Sequence, residues 1–393
     1  MINKNELRPL WAEINLDNLS HNMREVKRSI KKDTIACAVI KADGYGHGAV
    51  EIAETLDKSG ADRFAVATLT EAVELRQSGI ALPIMVLGYT PDFQFETILR
   101  YDIIQTIYTY EQGRFFSEKA LEAGKKMTVH IKVDTGMSRL GFQTHEQDQE
   151  KMKNILAMEG LMIEGIFTHF AIADDENKDF TYSQFEKFQT LVKKLEEGGY
   201  QIPIKHVSNS AAIIDLPEMN LNMVRAGLML YGLYPSEAVD HQNIKLKKVM
   251  ELKTGISLVK DLEKGRGVSY GLIYETTETR RIATLPVGYA DGFTRLLTEK
   301  AKVTLRGRAY PIVGRICMDQ SMVDITGEEA SIGDTVTIIS SNDNDPNTVD
   351  DFAELLGTIN YEIVCMISRR VPRVYLKKGE VTSITDHLLT RHS

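Results

Sequence analysis

The first 230 or so residues alternate short apolar, β-branched runs with stretches of helical period, a strand-and-helix rhythm repeated about eight times. The spacing predicts strands over 34–42, 63–68, 83–88, 103–109, 127–134, 163–169, 203–208 and 222–230. Between them lie amphipathic segments such as LTEAVELRQSG and FEKFQTLVKKLEEGG, the second stopped by Gly198 and Gly199. Eight strands with intervening helices match a parallel (β/α)8 barrel. A doubly wound open sheet shows the same alternation and stays open as an alternative. No GxGxxG follows the first strand, which weakens a dinucleotide-binding reading.

From about Lys245 the pattern changes. RIATLPVGYA, KVTLRGRAYPIVGRICM and DTVTIISS are β-rich runs separated by turn residues, and VDDFAELLG reads as a helix with Asp350 or Asp351 placed as a cap. The expectation is therefore an α/β chain with an N-terminal barrel over 1–244 and a mainly β domain over 245–393. The junction falls in YPSEAVDHQNIK, which is polar but not rich in Pro, Gly or Ser.

Composition narrows the classes. A length of 393 residues suits two domains, and 43% hydrophobic with 26% charged residues is ordinary for a globular protein. A net charge of −8 argues against nucleic acid as the main partner. Cys37, Cys317 and Cys365 are too scattered for a disulfide framework or a metal site, and the nine histidines form no HExxH pattern. The start, MINKNELRPLWAEINL, lacks the apolar core of a signal peptide, and no apolar run reaches the roughly 18 residues of a membrane span. A cytoplasmic enzyme without a metal is expected.

Candidate chemistry collects at the predicted strand ends, where barrels of this type place their active sites. Lys41 ends the run 34–40 and precedes a turn through Gly44, Gly46 and Gly48. An ammonium at the rim of a buried strand loses hydration, which favours the neutral, nucleophilic amine of a Schiff-base lysine. Arg139 follows the fifth strand, His169 ends the sixth, and Asn209 and Ser210 follow the seventh. Arg225 and Gly227 share one face of the eighth. Singly, each has a plainer reading: a snorkelling lysine, a hydrogen-bonded core histidine, a surface arginine, a helix N-cap at Ser210, an ion pair at Arg225. Repeated at the same end of successive strands, they point to a site, because buried polar groups need partners. Loops after strands 7 and 8 often hold phosphate in barrels, and HVSNSAA offers hydroxyls and a helix start there. A phosphate beside a Schiff-base lysine suggests pyridoxal phosphate.

The segments AVIKADGYGHG, VDTGMSRLG, HVSNSAA, NMVRAGLMLYGLYPS, GVSYG, PVGYADG, GRICMDQ and INYEI, in this order from about Leu10 to about Val374, resemble the alanine racemase family. The resemblance implies a fold-type III enzyme that uses pyridoxal 5'-phosphate to interconvert L- and D-alanine, supplying D-alanine for peptidoglycan. It also implies a homodimer in which each β domain completes the partner's site. By position, Lys41 would hold the cofactor covalently, and Tyr45, Ser210, Gly227, Leu228 and Tyr361 would contact its phosphate. Arg225 would face the ring nitrogen, His169 would lie beside the ring, and Arg139 would reach the phenolic oxygen and the substrate carboxylate. Tyr270 would be the second catalytic base and Met318 and Asp319 would bound the substrate pocket, all three from the partner, with Tyr289 guarding the entry. Lys132 matches a position where the family often carries a carbamylated lysine. The same architecture also accommodates a serine, lysine or broad-specificity racemase, a basic amino acid decarboxylase, or a silent cofactor carrier.

Overall fold

The computed structural model describes residues 7–389, which form two compact units. One comprises Leu19–Gly44 and Ala49–Leu246; the other comprises the N-terminal stretch ending at Asn18, then Tyr45–Gly48, then Lys247 onward.

The first unit is built on a parallel eight-stranded sheet. Its strands in chain order are Ile35–Val39, Arg63–Val66, Ile84–Val86, Ile104–Ile107, Met127–Lys132, Leu161–Phe167, Ile204–His206 and Met223–Ala226. Each overlaps its predicted run, but the sixth spans Leu161–Phe167 and the eighth stops at Ala226, so His169 and Gly227 lie in the segments that follow those strands rather than on them. The first strand pairs with both the second and the eighth. Between the seventh and eighth strands the ring is nearly closed by two backbone bonds, Asn222 N to Lys205 O at 3.0 Å and Arg225 N to Ser208 O at 3.0 Å. The open-sheet alternative is thereby excluded, and the fold is a (β/α)8 barrel.

Helices follow the strands as the periodicity required. Leu69–Gln77 begins with a capping box in which Thr68 and Glu71 exchange side-chain and backbone hydrogen bonds. Asp179–Glu197 ends at the C-cap Gly198, with Gly199 left-handed at φ +89°. The buried part of this unit is not purely apolar: Gln105, Thr106, His130 and His206 are fully buried, and Arg63 and Arg225 nearly so. Gln105 and Thr106 are satisfied locally, donating to Gly88 O at 3.0 Å and Val86 O at 2.7 Å respectively. The two histidines meet each other, His206 meets Arg225, and Glu164 joins His130 to Arg63.

The second unit is mainly β. A seven-stranded sheet has the order Arg308–Pro311, Lys302–Leu305, Thr335–Ile339, Met250–Gly255, Leu10–Asn15, Arg373–Lys377 and Glu380–Thr385. The N-terminal strand Leu10–Asn15, absent from the sequence-based expectation, lies inside it between Met250–Gly255 and Arg373–Lys377, with Leu10, Ala12 and Ile14 buried in strict alternation. A three-stranded sheet joins Leu258–Leu262, Arg280–Leu285 and Ser321–Asp324. The predicted helix is present at Val349–Leu356, but Thr348 is its N-cap, and Asp351 accepts from the Thr348 backbone and hydroxyl as the third residue of a capping box. Asp350 and Asp351 thus both lie inside the helix; the shorter threonine side chain reaches the first free N–H groups.

Candidate active site

At the C-terminal end of the first barrel strand, Lys41 opens a one-turn left-handed segment, with φ of 52° at Ala42, 54° at Asp43, 61° at Gly44 and 52° at Tyr45. Left-handed backbone is costly for residues with a Cβ, so surrounding contacts must impose it. Glu71 supplies one: Oε1 accepts from Ala42 N at 2.6 Å, while Oε2 accepts from Ala67 N at 2.8 Å and Thr68 N at 3.0 Å. Asp43 Oδ1 accepts from Ala49 N at 2.9 Å, fixing the far side. One carboxylate therefore caps a helix and anchors the residue after Lys41.

After the fifth strand, Asp134 shapes the loop that presents Arg139. Its Oδ1 accepts from Gly136 N at 2.9 Å and Ser138 N at 3.0 Å. Burial would raise the carboxyl's pKa, but these N–H groups and the Lys132 ammonium hold it below the usual range. Gly141 must be glycine: at φ +129° an added Cβ would stand 2.5 Å from Asp134 N. Lys132 is buried and donates to Val133 O at 2.6 Å. Burial, reinforced by Arg225 and Arg139, brings its pKa down to about 7, so a large neutral fraction exists at physiological pH.

Arg225 is the centre of the barrel's mouth. Nη2 donates to Thr168 O at 2.9 Å and Val207 O at 3.0 Å and lies 3.2 Å from His169 Nδ1; Nη1 lies 2.8 Å from His206 Nδ1. No carboxylate is among these partners, which removes the ion-pair reading. Burial lowers its pKa to about 10, leaving it cationic at neutral pH. His169 is held well below the ordinary imidazole value by burial first and then by the positive charge of Arg225, Arg139, Lys132 and Lys41. His169 is thus a neutral imidazole beside the Arg225 guanidinium. Next to them, Asn209 caps the helix Ser210–Asp215 through Ala212 N at 3.1 Å, which leaves Ser210 free of capping. The Ser210 hydroxyl instead accepts from Gly227 N at 3.0 Å and Met229 N at 3.4 Å, drawing together the segments after strands 7 and 8. Leu228 is buried beneath them.

The β unit carries the remaining predicted residues in two groups. Tyr45 is buried, its ring 6.2 Å from that of Tyr361, and burial pushes its phenol above the usual value. Arg373 Nε donates to Gly46 O at 3.0 Å and the Tyr375 hydroxyl to His47 O at 3.1 Å, which locks the GYGHG stretch. In the second group, Tyr270 projects from the hairpin of Gly267–Val268 and Tyr274–Glu275 and is 70% exposed. The hairpin's base is rigid: Val268 and Tyr274 pack with Ile282, Val313 and Met322, and the Tyr274 hydroxyl donates to Asp324 at 3.1 Å. Ser269 Oγ donates to Arg315 O at 2.6 Å, tying this hairpin to the CMDQ loop. That loop in turn accepts Tyr289 N at Cys317 O (3.1 Å) and Ala290 N at Met318 O (3.1 Å). Tyr270, Tyr289 and Met318 are all exposed, and Asp319 pairs with Arg370 at 2.6 Å.

Sequence reading assigned no role to Glu71, Asp134, Thr168, His130, His206 or Glu164. A signal existed for some of them. Thr68 and Glu71 are spaced as a capping box, His130 lies two residues from Lys132 on one strand face, and His206 opens HVSNSAA.

Comparison with known proteins places this geometry. The model of the alanine racemase N-terminal domain matches residues 14–235, and that of its C-terminal domain matches 249–375. The chain belongs to the alanine racemase family. It is 47% identical to alanine racemase 1 of Clostridium acetobutylicum over 97% of this chain and 99% of that one. Among solved structures, alanine racemase of Clostridium difficile superposes with a TM-score of 0.94 at 48% identity, covering 97% of this chain and 99% of that one. Alanine racemase of Bacillus anthracis with bound L-Ala-P does so with a TM-score of 0.92 at 34% identity, covering 98% and 99% respectively. Alanine racemases are pyridoxal-phosphate-dependent isomerases, and this chain is a racemase of that class. Among the described residues no helix is long and apolar enough to cross a membrane.

Proposed function

We propose that this enzyme interconverts L- and D-alanine by a two-base mechanism with pyridoxal 5'-phosphate, in the cytoplasm, supplying D-alanine for peptidoglycan. The observation that carries the reading is Arg225, buried and held by neutral acceptors alone. A guanidinium donates hydrogen bonds and does not accept a proton. Facing the cofactor's ring nitrogen, it would leave that nitrogen unprotonated, which opposes a decarboxylase-type site built on a carboxylate.

The donor set fits the cofactor. Ser210 and the backbone at Gly227 and Leu228 form an anion cradle at a helix start, Arg225 and His169 flank a ring position, and Lys41 supplies the amine. The resemblance gives Tyr45 and Tyr361 a share in the phosphate, and that role is part of the proposal. When bound, pyridoxal phosphate takes up the amino acid's nitrogen covalently and withdraws the electron pair left by the departing α-proton. The protein's task is then to move one proton on each face of the substrate. Lys41 Nζ serves the D-face. Tyr270 Oη of the second subunit in a homodimer serves the L-face, consistent with its exposure on a rigid hairpin. Arg139 holds the substrate carboxylate, and Met318, Asp319 and Tyr289 bound the pocket. A neutral Lys132 amine can add carbon dioxide, forming the N–C bond as one N–H proton is released to solvent, and the carbamate anion would pair with Arg139.

The test is a visible spectrum of the purified protein with pyridoxal phosphate, before and after borohydride, with α-deuterium loss from labelled L- and D-alanine. Absorbance trapped on Lys41 and deuterium loss from both enantiomers support the reading. A colourless protein overturns it, and faster turnover of serine than alanine overturns the substrate.

A further inference from the structure

Five side chains of the barrel unit form one continuous file. Arg63 grips Glu164 with both Nη atoms, at 2.8 and 3.3 Å. Glu164 Oε2 lies 2.7 Å from His130 Nε2, His130 Nδ1 lies 2.9 Å from His206 Nε2, and His206 Nδ1 lies 2.8 Å from Arg225 Nη1. Both imidazoles are fully buried.

The two ends of this file dictate its hydrogens. A guanidinium only donates, so His206 Nδ1 must present its lone pair to Arg225. His206 Nε2 then carries the hydrogen and donates to His130 Nδ1. That leaves His130 Nε2 to carry its hydrogen and donate to Glu164. Starting from the carboxylate, which only accepts, gives the same assignment. One hydrogen on each ring satisfies every contact, and a second on either would set two N–H groups against each other. The rings are also held sterically: Phe167 stacks on His206 with centroids 4.6 Å apart and planes 8° apart, and lies 5.3 Å from Arg225 Cζ.

We propose that Glu164, gripped by Arg63, is a positioning residue for Arg225, acting through His130 and His206 by fixing both rings in the Nε2–H tautomer. This rests on the reading of Arg225 as the partner of the cofactor's ring nitrogen. A planar guanidinium whose Nη1 is committed to His206 and whose Nη2 is committed to Thr168 and Val207 has its remaining N–H directions set. Without the carboxylate, the ring pair gains access to the opposite tautomer, which turns Nδ1–H toward Arg225 and displaces it. Glu164 therefore controls a group three hydrogen bonds away that it never touches.

The experiment uses the full-length protein reconstituted with pyridoxal phosphate and labelled with 15N-histidine. Long-range 1H–15N correlations report which ring nitrogen is protonated, and His130→Gln and His206→Gln assign the two resonance sets. The wild type should show both rings as Nε2–H. Glu164→Gln should mix or reverse the tautomers and shift the pH titration of the cofactor's visible absorbance. It should also lower kcat on the order of 10-fold with a smaller change in KM. Glu164→Asp should restore the wild-type tautomers. An Nδ1–H or doubly protonated ring in the wild type overturns the proposal, and that measurement stands even if Glu164→Gln fails to fold. Unchanged tautomers and titration in a folded Glu164→Gln also overturn it. The tautomers are readable whether or not the protein racemises alanine, so failure of the relay and failure of the proposed activity are told apart.

Discussion

At the scale of single residues, the barrel mouth concentrates positive charge and then limits its consequences by burial. Lys132 shows this most directly. The folded protein releases its proton at about 7, against an ordinary value of 10.5. Between those values the unfolded chain binds more protons, so stability rises with pH across that window and the penalty is complete below it. In carbon-dioxide-free buffer, the stability of wild type relative to Lys132→Met should climb between pH 7 and pH 9 by up to about 1.4 kcal/mol per pH unit. Urea titrations at several pH values would show it, and a flat difference would refute the burial argument. The same neutral amine predicts a carbamate signal when the protein is equilibrated with 13C-bicarbonate. Tyr270→Phe should impair proton abstraction from L-alanine more directly than from D-alanine while slowing both net directions. Deuterium exchange measured separately on each enantiomer checks this.

At the scale of elements, loops are shaped by a few carboxylates and glycines that have no part in the proposed chemistry. Glu71 serves helix Leu69–Gln77 and the left-handed turn after Lys41 with one side chain. Glu71→Ala removes the cap and the anchor of Ala42 together. We expect a loss of about 1–2 kcal/mol in unfolding free energy and a weaker hold on pyridoxal phosphate, read by cofactor titration; unchanged cofactor affinity would reduce Glu71 to a helix cap. Gly141→Ala forces a Cβ against Asp134 N and should cost about 1–3 kcal/mol through backbone strain. Thr348→Ala, by contrast, should cost about 1 kcal/mol with activity largely kept, since Thr348 caps a helix and is not among the proposed site residues.

At the scale of the whole molecule, Tyr270, Tyr289 and Met318 stand exposed on interlocked loops of the β unit. Exposed aromatic and apolar side chains on a rigid base suit a surface that a second copy covers. If sites are shared between subunits, Lys41→Ala and Tyr270→Phe chains complement each other. In a mixed dimer, one site has both defects and the other has none. Co-expression at equal levels should recover roughly a quarter of wild-type activity, because half the dimers are mixed and each has one intact site. No recovery, with mixed dimers verified by mass, would rule out shared sites.

The strand-and-helix alternation, the shift to β rhythm after Lys245 and the chemistry at the strand ends could all be read along the chain, because period and residue type are local properties. So could the residues of the long glycine-punctuated segments. The strand Leu10–Asn15 alternates as strictly as any other, yet its partners Met250–Gly255 and Arg373–Lys377 lie more than 200 residues away, and no local pattern names them. The helix cap at Thr348 in place of Asp350 or Asp351 was likewise a matter of reach. The file from Arg63 to Arg225 joins five different strands: its members were visible singly as polar residues in apolar runs. Only ring closure, which sets the eighth strand beside the seventh and the second opposite the sixth, turns these isolated polar residues into one directed chain.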